Sequence, residues 1–192
     1  FGNNGVRMDE LSPPLKFLAQ KALQFQKEKG FEQAANIYHH ILKQVPKHPE
    51  ILHLLGLLYF QQGKIQESLH SIQQSLQISP NNPQFHMNLG QIYESIQRIE
   101  ASISHYQAAL EYQPGNAQLA YRLARIFVQR QQSQEAIRYF ELVIRYQPEH
   151  PEAYAQLGTL YLLENQMESA LGAFQKALVL KPDFSEVYHN LA

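Results

Sequence analysis

The sequence predicts an all-α fold, an array of antiparallel helix pairs, and three observations at one period predict it. Proline returns every 34 residues. A Leu-Gly or Leu-Ala pair returns at the same spacing, as does a small residue followed four positions later by a larger one. The prolines are Pro46, Pro80, Pro114, Pro148 and Pro182. A fixed period of about 20 to 50 residues is typical of repeat arrays.

The first helix of each unit carries the Leu-Gly or Leu-Ala pair, and an aromatic residue follows one turn later. A residue with little or no side chain lets two helices approach closely, and the aromatic ring fills the space beside it. The pairs are Leu55-Gly56, Leu89-Gly90, Leu123-Ala124 and Leu157-Gly158, and the aromatic residues are Tyr59, Tyr93, Phe127 and Tyr161.

The second helix of each unit uses a small residue in the same way. The small residues are Ala34, Ser68, Ser102, Ala136 and Ala170, and the larger partners are Tyr38, Ile72, Tyr106, Phe140 and Phe174. A polar turn separates the two helices, and Gly63 offers the left-handed conformation that a helix C-terminus favours. The periodic proline ends the second helix. Pro49, Pro83 and Pro151 then begin the next first helix, where a missing amide donor costs nothing.

These positions resemble the tetratricopeptide repeat family, whose pattern of Leu-Gly, Tyr, Ala, Phe and Pro matches strongly. Four complete repeats begin at residues 49, 83, 117 and 151, a divergent one at about residue 15, and a truncated sixth at residue 185. In the divergent repeat Lys21 stands where Leu is usual, and Gly30 comes one place late. The resemblance implies a right-handed superhelical solenoid over residues 15–192, with the first helices on its concave face.

Composition excludes several functions. The net charge is −1, whereas a protein that binds nucleic acid through bulk electrostatics shows a basic excess. No cysteine is present, so disulfides and thiolate chemistry are excluded. The most apolar stretch, 51–60, is too short to span a bilayer. The compartment is not readable, and the cytoplasm is only a default for a chain without a recognisable signal peptide.

Both ends of the chain carry expectations. Residues 1–14 are predicted to be an N-terminal tail, in which 1–7 are either an expression scar before Met8 or a natural segment. The last residues fall inside the first helix of a repeat, where solenoids normally place a capping repeat. The chain is therefore expected to be part of a longer protein. Leu180, Val187 and Leu191 are expected to form an uncovered apolar surface that favours end-to-end self-association.

No catalytic or metal-binding motif is present, and no cofactor is expected. The sequence lacks a nucleophile elbow, a phosphate-binding loop and a metalloprotease motif. Glu50 with His53 and Glu186 with His189 have the Glu-x-x-His spacing of helical di-metal sites. These two pairs are four repeats apart, so they cannot share a metal ion. The chain is therefore predicted to have no catalytic residues and no enzyme activity by itself.

The resemblance places a binding groove along the first helices, at positions two, five, six, nine and twelve or thirteen of each repeat. The groove is expected to be apolar at one end, lined by amides in the middle and basic at the other end. The candidate residues are His53, Leu57, Phe60, Met87, Asn88, Gln91, Tyr121, Arg122, Arg125 and Gln156.

This gradient favours an extended peptide as the ligand. Leu57, Phe60 and Met87 are expected to receive apolar side chains, and the amides to bond the peptide backbone. Arg122 and Arg125 lie one turn apart and are expected to hold a carboxylate. Two alternatives remain open: Glu94 pairs with one of these arginines, or Leu57 and Phe60 belong to the core between repeats.

Two subtypes of the family fit only in part. Asn88 and Arg122 match the clamp that holds chaperone tails, whereas His53, Leu57 and Gln118 do not. Asn88 and Asn190 match the asparagine ladder of O-GlcNAc transferases, which Gln20, Leu54, Arg122 and Gln156 interrupt.

Two function classes follow from this comparison. The first is a scaffold that binds protein or peptide partners. The second is the substrate-recognition arm of a larger enzyme, because several repeats look like those of bacterial O-GlcNAc-transferase-like proteins.

Overall fold

The structure is a computed structural model that describes residues 11–191. These residues form eleven helices and no strand, and they divide into two compact units, 11–105 and 106–191. The helices are α1 (Pro13–Lys27), α2 (Phe31–Gln44), α3 (Pro49–Gln61), α4 (Ile65–Ile78), α5 (Pro83–Ser95), α6 (Ile99–Tyr112), α7 (Ala117–Gln129), α8 (Ser133–Tyr146), α9 (Pro151–Leu163), α10 (Met167–Leu180) and α11 (Ser185–Leu191). The predicted all-α fold of repeated helix pairs is confirmed.

The first helices begin where the prolines predict, and a side chain caps four of them. Pro49, Pro83 and Pro151 are the first residues of α3, α5 and α9. The residue before each of these helices, and before α7, accepts a hydrogen bond from a backbone N–H of the first turn, which has no partner inside the helix. The four capping residues are His48, Asn82, Asn116 and His150.

A left-handed residue stands in every turn between a first and a second helix. Gly63 has φ of 74°, as its position predicts. Residues with side chains adopt the same conformation in the other four turns, with φ between 57° and 61°. They are Lys29, Gln97, Gln131 and Asn165. In the first repeat Gly30 is indeed one place late, because Lys29 takes the left-handed position.

The small residues allow the close approach that the pattern predicts. A methyl group built on Gly56 would lie 2.5 Å from Cγ1 of Ile72 on α4. A methyl group on Gly158 would lie 2.5 Å from the ring of Phe174 on α10. Both partners are fully buried. The two helices of each pair therefore meet at a site where any side chain displaces the neighbour.

Each unit has its own buried core. In 11–105, residues of α1, α2 and α3 form one cluster around Tyr38 and Ile41, and residues of α4 and α5 form another around Ile72 and Leu89. In 106–191, residues of α9, α10 and α11 surround Phe174. No helix among residues 11–191 is long and apolar enough to cross a membrane.

The first repeat begins slightly before the predicted boundary at residue 15. The first turn of α1 starts at Pro13, and Leu11 is buried against the first core cluster. Met8 and the segment 1–7, with the question of its origin, lie outside the described residues.

The prediction of an uncovered apolar surface at the C-terminal end is wrong for one of its three residues. Val187 is fully buried against the cluster around Phe174, because α11 packs on α9 and α10. Leu180 is half-buried, and the side chain of Leu191 lies outside the described residues. Val179, beside Leu180, is exposed, and so are three residues at the end of α9 and the start of α10: Leu163, Met167 and Leu171 are 68%, 64% and 48% exposed.

Candidate peptide-binding groove

The predicted groove residues lie on four first helices, two in each unit. In 11–105, α3 carries His53, Leu57 and Phe60, and α5 carries Met87, Asn88 and Gln91. In 106–191, α7 carries Tyr121, Arg122 and Arg125, and α9 carries Gln156. Their surroundings differ sharply between the two units.

His53 and Asn88 are both buried, each with 4% of its surface exposed. The side-chain amide of Gln84 donates to Oδ1 of Asn88 at 3.0 Å, and Nδ2 of Asn88 lies 2.9 Å from Nε2 of His53. Because an amide NH₂ group only donates, Nε2 of His53 accepts and the neutral ring carries its proton on Nδ1. Both side chains are thus already bonded inside the protein.

The ring of His53 is stacked on Phe85, with centroids 4.4 Å apart. Burial lowers the pKa of His53 to about 3, since a charged imidazole would lose its hydration there. His53 is therefore a neutral acceptor at physiological pH. To bind a peptide backbone, Asn88 would have to exchange its bond to His53 or to Gln84.

Leu57 and Phe60 are half-buried, and both pack against the cluster around Ile72 and Leu89. They therefore contribute to the core between the second and third repeats. This is one of the two alternatives that the sequence left open. Met87 and Gln91 on α5 are half-buried as well. The predicted groove side of this unit thus carries apolar residues, and the amides of Gln84 and Asn88 are already bonded internally.

In the second unit, Tyr121 lies at the centre of an aromatic group. Its ring meets Phe140 edge to face at 5.5 Å and stacks on His150 at 4.8 Å. Burial raises the pKa of Tyr121, the charge of Arg125 lowers it, and Glu152 and Glu186 raise it further. Charges from three first helices therefore act on one phenol.

Arg122 and Arg125 are both exposed on α7. The guanidinium carbon of Arg122 lies 5.6 Å from the ring centre of Tyr106, a cation–π distance. Arg125 makes no ion pair or hydrogen bond within residues 11–191. An exposed guanidinium without a partner is able to receive a carboxylate in the bidentate geometry that arginine favours.

Acidic side chains follow the arginines along the first helices of this unit. Glu152 lies 3.4 Å from Nδ1 of His150 and 3.9 Å from Nζ of Lys181. The amide of Gln156 donates to Glu186 at 3.4 Å, and the amide of Asn190 donates to Thr159 at 3.1 Å. The groove side of this unit therefore carries both signs of charge, which the sequence-based gradient did not include.

Side-chain hydrogen bonds to tyrosine hydroxyls join neighbouring repeats, and the sequence pattern alone did not predict them. A polar residue of one second helix bonds the tyrosine hydroxyl of the next repeat in three places. These are His39 with Tyr59 at 3.0 Å, Gln73 with Tyr93 at 3.1 Å, and Glu141 with Tyr161 at 3.0 Å. At the fourth such place the aromatic residue is Phe127, and Gln107 bonds Tyr139 instead. The signal was present, since 39, 73, 107 and 141 follow the same period.

Two cavities lie beside these bonds in the first unit. One, of about 570 Å³, is bounded by α2, α3 and α4 and has Leu42, Leu52 and Leu55 in its wall. The other, of about 370 Å³, has Leu76, His86, Leu89 and His105 in the corresponding positions. No group of three His, Cys, Asp or Glu side chains among residues 11–191 is arranged to hold a metal ion.

The repeat pattern matches models of a known family. A model described as TPR repeat matches residues 56–97, and one described as tetratricopeptide repeat matches residues 87–143 and 121–183. The chain belongs to the tetratricopeptide repeat family. No curated protein matches this chain significantly. These matches do not bear on the O-GlcNAc-transferase-like resemblance of some repeats, which stays a prediction.

Solved structures agree with the fold. A crystal structure of MamA is 22% identical with a TM-score of 0.72, and the match covers 90% of this chain and 94% of MamA. YrrB, described as a TPR protein with an unusual peptide-binding site, is 18% identical with a TM-score of 0.70; the match covers 95% of this chain and 93% of YrrB. At these identities the likeness shows the fold alone.

Proposed function

We propose that this tetratricopeptide repeat chain is a scaffold that binds extended peptide segments of partner proteins along its first helices. The observation that carries the proposal is Arg125, an exposed guanidinium without an internal partner, on the side of α7 that is predicted to face the groove. It is one turn from Arg122 and close enough to Tyr121 to affect its ionisation. A peptide carboxylate supplies the missing partner. The solved structure of YrrB, described as having a peptide-binding site, supports this class of function.

The two units offer different chemistry to a peptide. In the first unit Leu57, Phe60 and Met87 offer partly exposed apolar area, and Gln91 offers an amide for the peptide backbone. In the second unit Arg125 receives an acidic group, and Gln156 lies toward the acidic Glu186. By itself the chain has no enzyme activity in this proposal, because a scaffold requires none.

The test uses an array of synthetic ten-residue peptides with and without Asp and Glu. Arg125→Glu is expected to weaken binding of the acidic peptides about tenfold or more, since it removes a charge-assisted bond and adds repulsion. Binding of the wild type is expected to fall as salt is raised. Circular dichroism checks that the variant keeps its helix content.

Arg138→Glu is the matched control. Arg138 is exposed on α8, a second helix of the same unit, so this variant has the same net charge without altering the groove side. If Arg138→Glu weakens binding as much as Arg125→Glu, the effect is one of net charge, and the groove proposal fails.

Self-association is the second proposal, and the exposed residues of α9 and α10 support it. Leu171 is 48% exposed, whereas Leu69 and Ile137, at the same position of earlier repeats, are 7% exposed. A second copy of the chain would cover Leu163, Met167 and Leu171. Sedimentation should show association at high concentration, and Leu171→Lys should abolish it. Unchanged association in that variant would exclude this surface.

A further inference from the structure

The second repeat lacks an aromatic ring that the third and fourth repeats have on their second helices. In the third repeat His105 on α6 stacks on Tyr93, with ring centres 5.5 Å apart and planes 7° apart. In the fourth repeat Tyr139 on α8 stacks on Phe127 in the same way, at 5.4 Å and 5°. The equivalent residue of the second repeat is Ser71 on α4. Its hydroxyl donates to a backbone carbonyl of its own helix at 2.8 Å.

The cavity of about 570 Å³ in the first unit lies beside this serine. Tyr59 and Ser71 both line it, and leucine side chains supply further apolar wall. Within residues 11–191 the one ring contact of Tyr59 is with His39, tilted by 51° at 6.4 Å. The ammonium of Lys64 is 5.7 Å from the ring centre of Tyr59, but Lys64 is not among the residues around the cavity. The cavity side of Tyr59 is therefore open to a ring from outside the chain.

The other repeats show how this fold fills the same space. In the third repeat His86 and His105 stand at the positions of Leu52 and Ser71, and the cavity there is smaller, about 370 Å³. In the fifth repeat Tyr154 stands at the position of Leu52. Of the second to fifth repeats, only the second has a ring at neither position. Its larger cavity follows from these two smaller side chains.

An acidic side chain stands at the rim of the cavity. Glu67 on α4 is exposed, lines the cavity, and makes no ion pair within residues 11–191. Its carboxylate acts on the neighbouring phenol: burial raises the pKa of Tyr59, and the charge of Glu67 raises it further. The other titratable side chains around the cavity are His39 and His70. A ligand with a positive charge beside its ring would therefore meet an available carboxylate.

We propose that this cavity binds an aromatic side chain of a partner protein, with a basic residue next to it in the partner's sequence. The ring stacks on Tyr59 as His105 stacks on Tyr93, and the basic group pairs with Glu67. The volume falls within the range of about 300–1,000 Å³ that ligand sites have. The rim is exposed at Glu67 and His70, so a partner chain reaches it while running outside the cavity. The proposal is independent of the groove, since no predicted groove residue lines this cavity.

The neighbouring repeats provide the substitutions for the test. Ser71→His and Ser71→Tyr each introduce the ring that the third or the fourth repeat has at this position, so the fold accommodates both. Glu67→Ala copies Ala101 of the third repeat and removes the carboxylate. Gln77→His is the control, because it adds a histidine to the same helix at an exposed position outside this cavity.

The probe is a short synthetic peptide with Tyr-Lys at its centre and glycines on both sides, and nuclear magnetic resonance titration of the ¹⁵N-labelled protein measures its affinity. We expect saturable binding that is at least tenfold weaker for a Leu-Lys peptide and in both Ser71 variants. Binding of a Tyr-Glu peptide is expected to be severalfold weaker, and Glu67→Ala should remove this preference for lysine. Gln77→His should bind as the wild type does. Circular dichroism and thermal unfolding without peptide establish that each variant folds.

Several results overturn the proposal. They are wild-type affinity in a folded Ser71 variant, equal binding of the Leu-Lys peptide, an equal loss in Gln77→His, and no saturable binding by the wild type. A preference for lysine that persists in Glu67→Ala contradicts the assignment of the basic residue. N-Acetyltyrosinamide supplies the ring without a partner chain. If it binds as tightly as the peptide, the site takes free aromatic molecules, and the assignment to a partner protein is wrong.

Discussion

The first helix of each repeat carries an apolar residue at the third position of the repeat. The surroundings of that residue in the first repeat differ strongly from those in the four repeats that follow. Phe17 on α1 is 66% exposed, and no described helix precedes α1. At the same position of the next four repeats, the side chain is at most 3% exposed. Those residues are Ile51, Phe85, Leu119 and Ala153. Burial at this position therefore depends on the neighbouring repeat and not on the residue itself.

The other end of the array shows the same dependence on a different helix. Leu171 on α10 is exposed, whereas Leu69 on α4 and Ile137 on α8 are buried. Each repeat thus presents apolar surface in two directions, and only a neighbour covers it. Equivalent positions of different repeats can therefore be compared directly, because they share one structural pattern and differ in their neighbours.

The largest effect is expected from the comparison of Phe85 with Phe17. Phe85→Ala removes a buried ring that stacks on His53 and should lower the free energy of unfolding by about 3 kcal/mol or more. Phe17→Ala removes an exposed ring and should change it by less than about 0.5 kcal/mol. Urea unfolding followed by circular dichroism measures both. Equal effects would mean that α1 is covered in solution.

The next effect compares two glycines of the fifth repeat. Gly158→Ala places a methyl group against the ring of Phe174 and should destabilise the protein by about 1–3 kcal/mol. Gly172→Ala on α10 meets no atom within 4 Å and should stabilise it by about 1 kcal/mol, because alanine favours helix. Thermal unfolding separates them by sign. A stabilised Gly158→Ala would show that α9 and α10 separate without cost.

A smaller effect concerns the left-handed turns. Gln97 has φ of 61°, which strains a residue with a side chain, so Gln97→Gly should stabilise the protein by about 0.5–1 kcal/mol. The reverse change, Gly63→Gln, should destabilise the second repeat by a similar amount. Chemical denaturation of both variants measures the difference. The two substitutions should change the free energy of unfolding in opposite directions, because the two turns have the same backbone conformation. Changes of the same sign would contradict the prediction.

The smallest effect at neutral pH concerns Tyr161. Burial and the bond to Glu141 raise its pKa to about 12. The folded state therefore keeps the phenol proton that the unfolded state releases above about pH 10, so this contribution to stability falls between about pH 10 and 12. Tyr161→Phe copies the residue found at Phe127 and should cost at most about 0.5 kcal/mol near pH 7. Stability curves from pH 9 to 12 should be flatter for the variant; identical slopes would contradict the assignment.

The helix pairs were predictable because their signals are local and periodic. The prolines, the Leu-Gly pairs and the aromatic residues each meet a backbone or packing requirement at a fixed position of the repeat. Gly63 was correctly predicted to be left-handed, whereas Gln97 and Gln131 were not recognised. Neither residue favours that conformation by itself, and only equivalence with Gly63 reveals it.

The candidate site was less predictable, because its properties arise between repeats. Sequence position placed His53 and Asn88 on the groove side, but their mutual bond and their burial depend on how α3 meets α5. Nδ1 of His86 lies 3.0 Å from Nδ1 of His105, and this contact depends in the same way on how α5 meets α6. Val187 was assigned to an open surface because the packing of α11 on α9 and α10 cannot be read from a pattern.

The tyrosine bonds between neighbouring repeats have a consequence for the speed of folding. Three of them join residues 20 positions apart, as between His39 and Tyr59 or between Glu141 and Tyr161. Closing so short a loop costs little chain entropy, and proteins dominated by local contacts fold quickly. Any repeat is therefore able to serve as the nucleus, from which order spreads to its neighbours on either side.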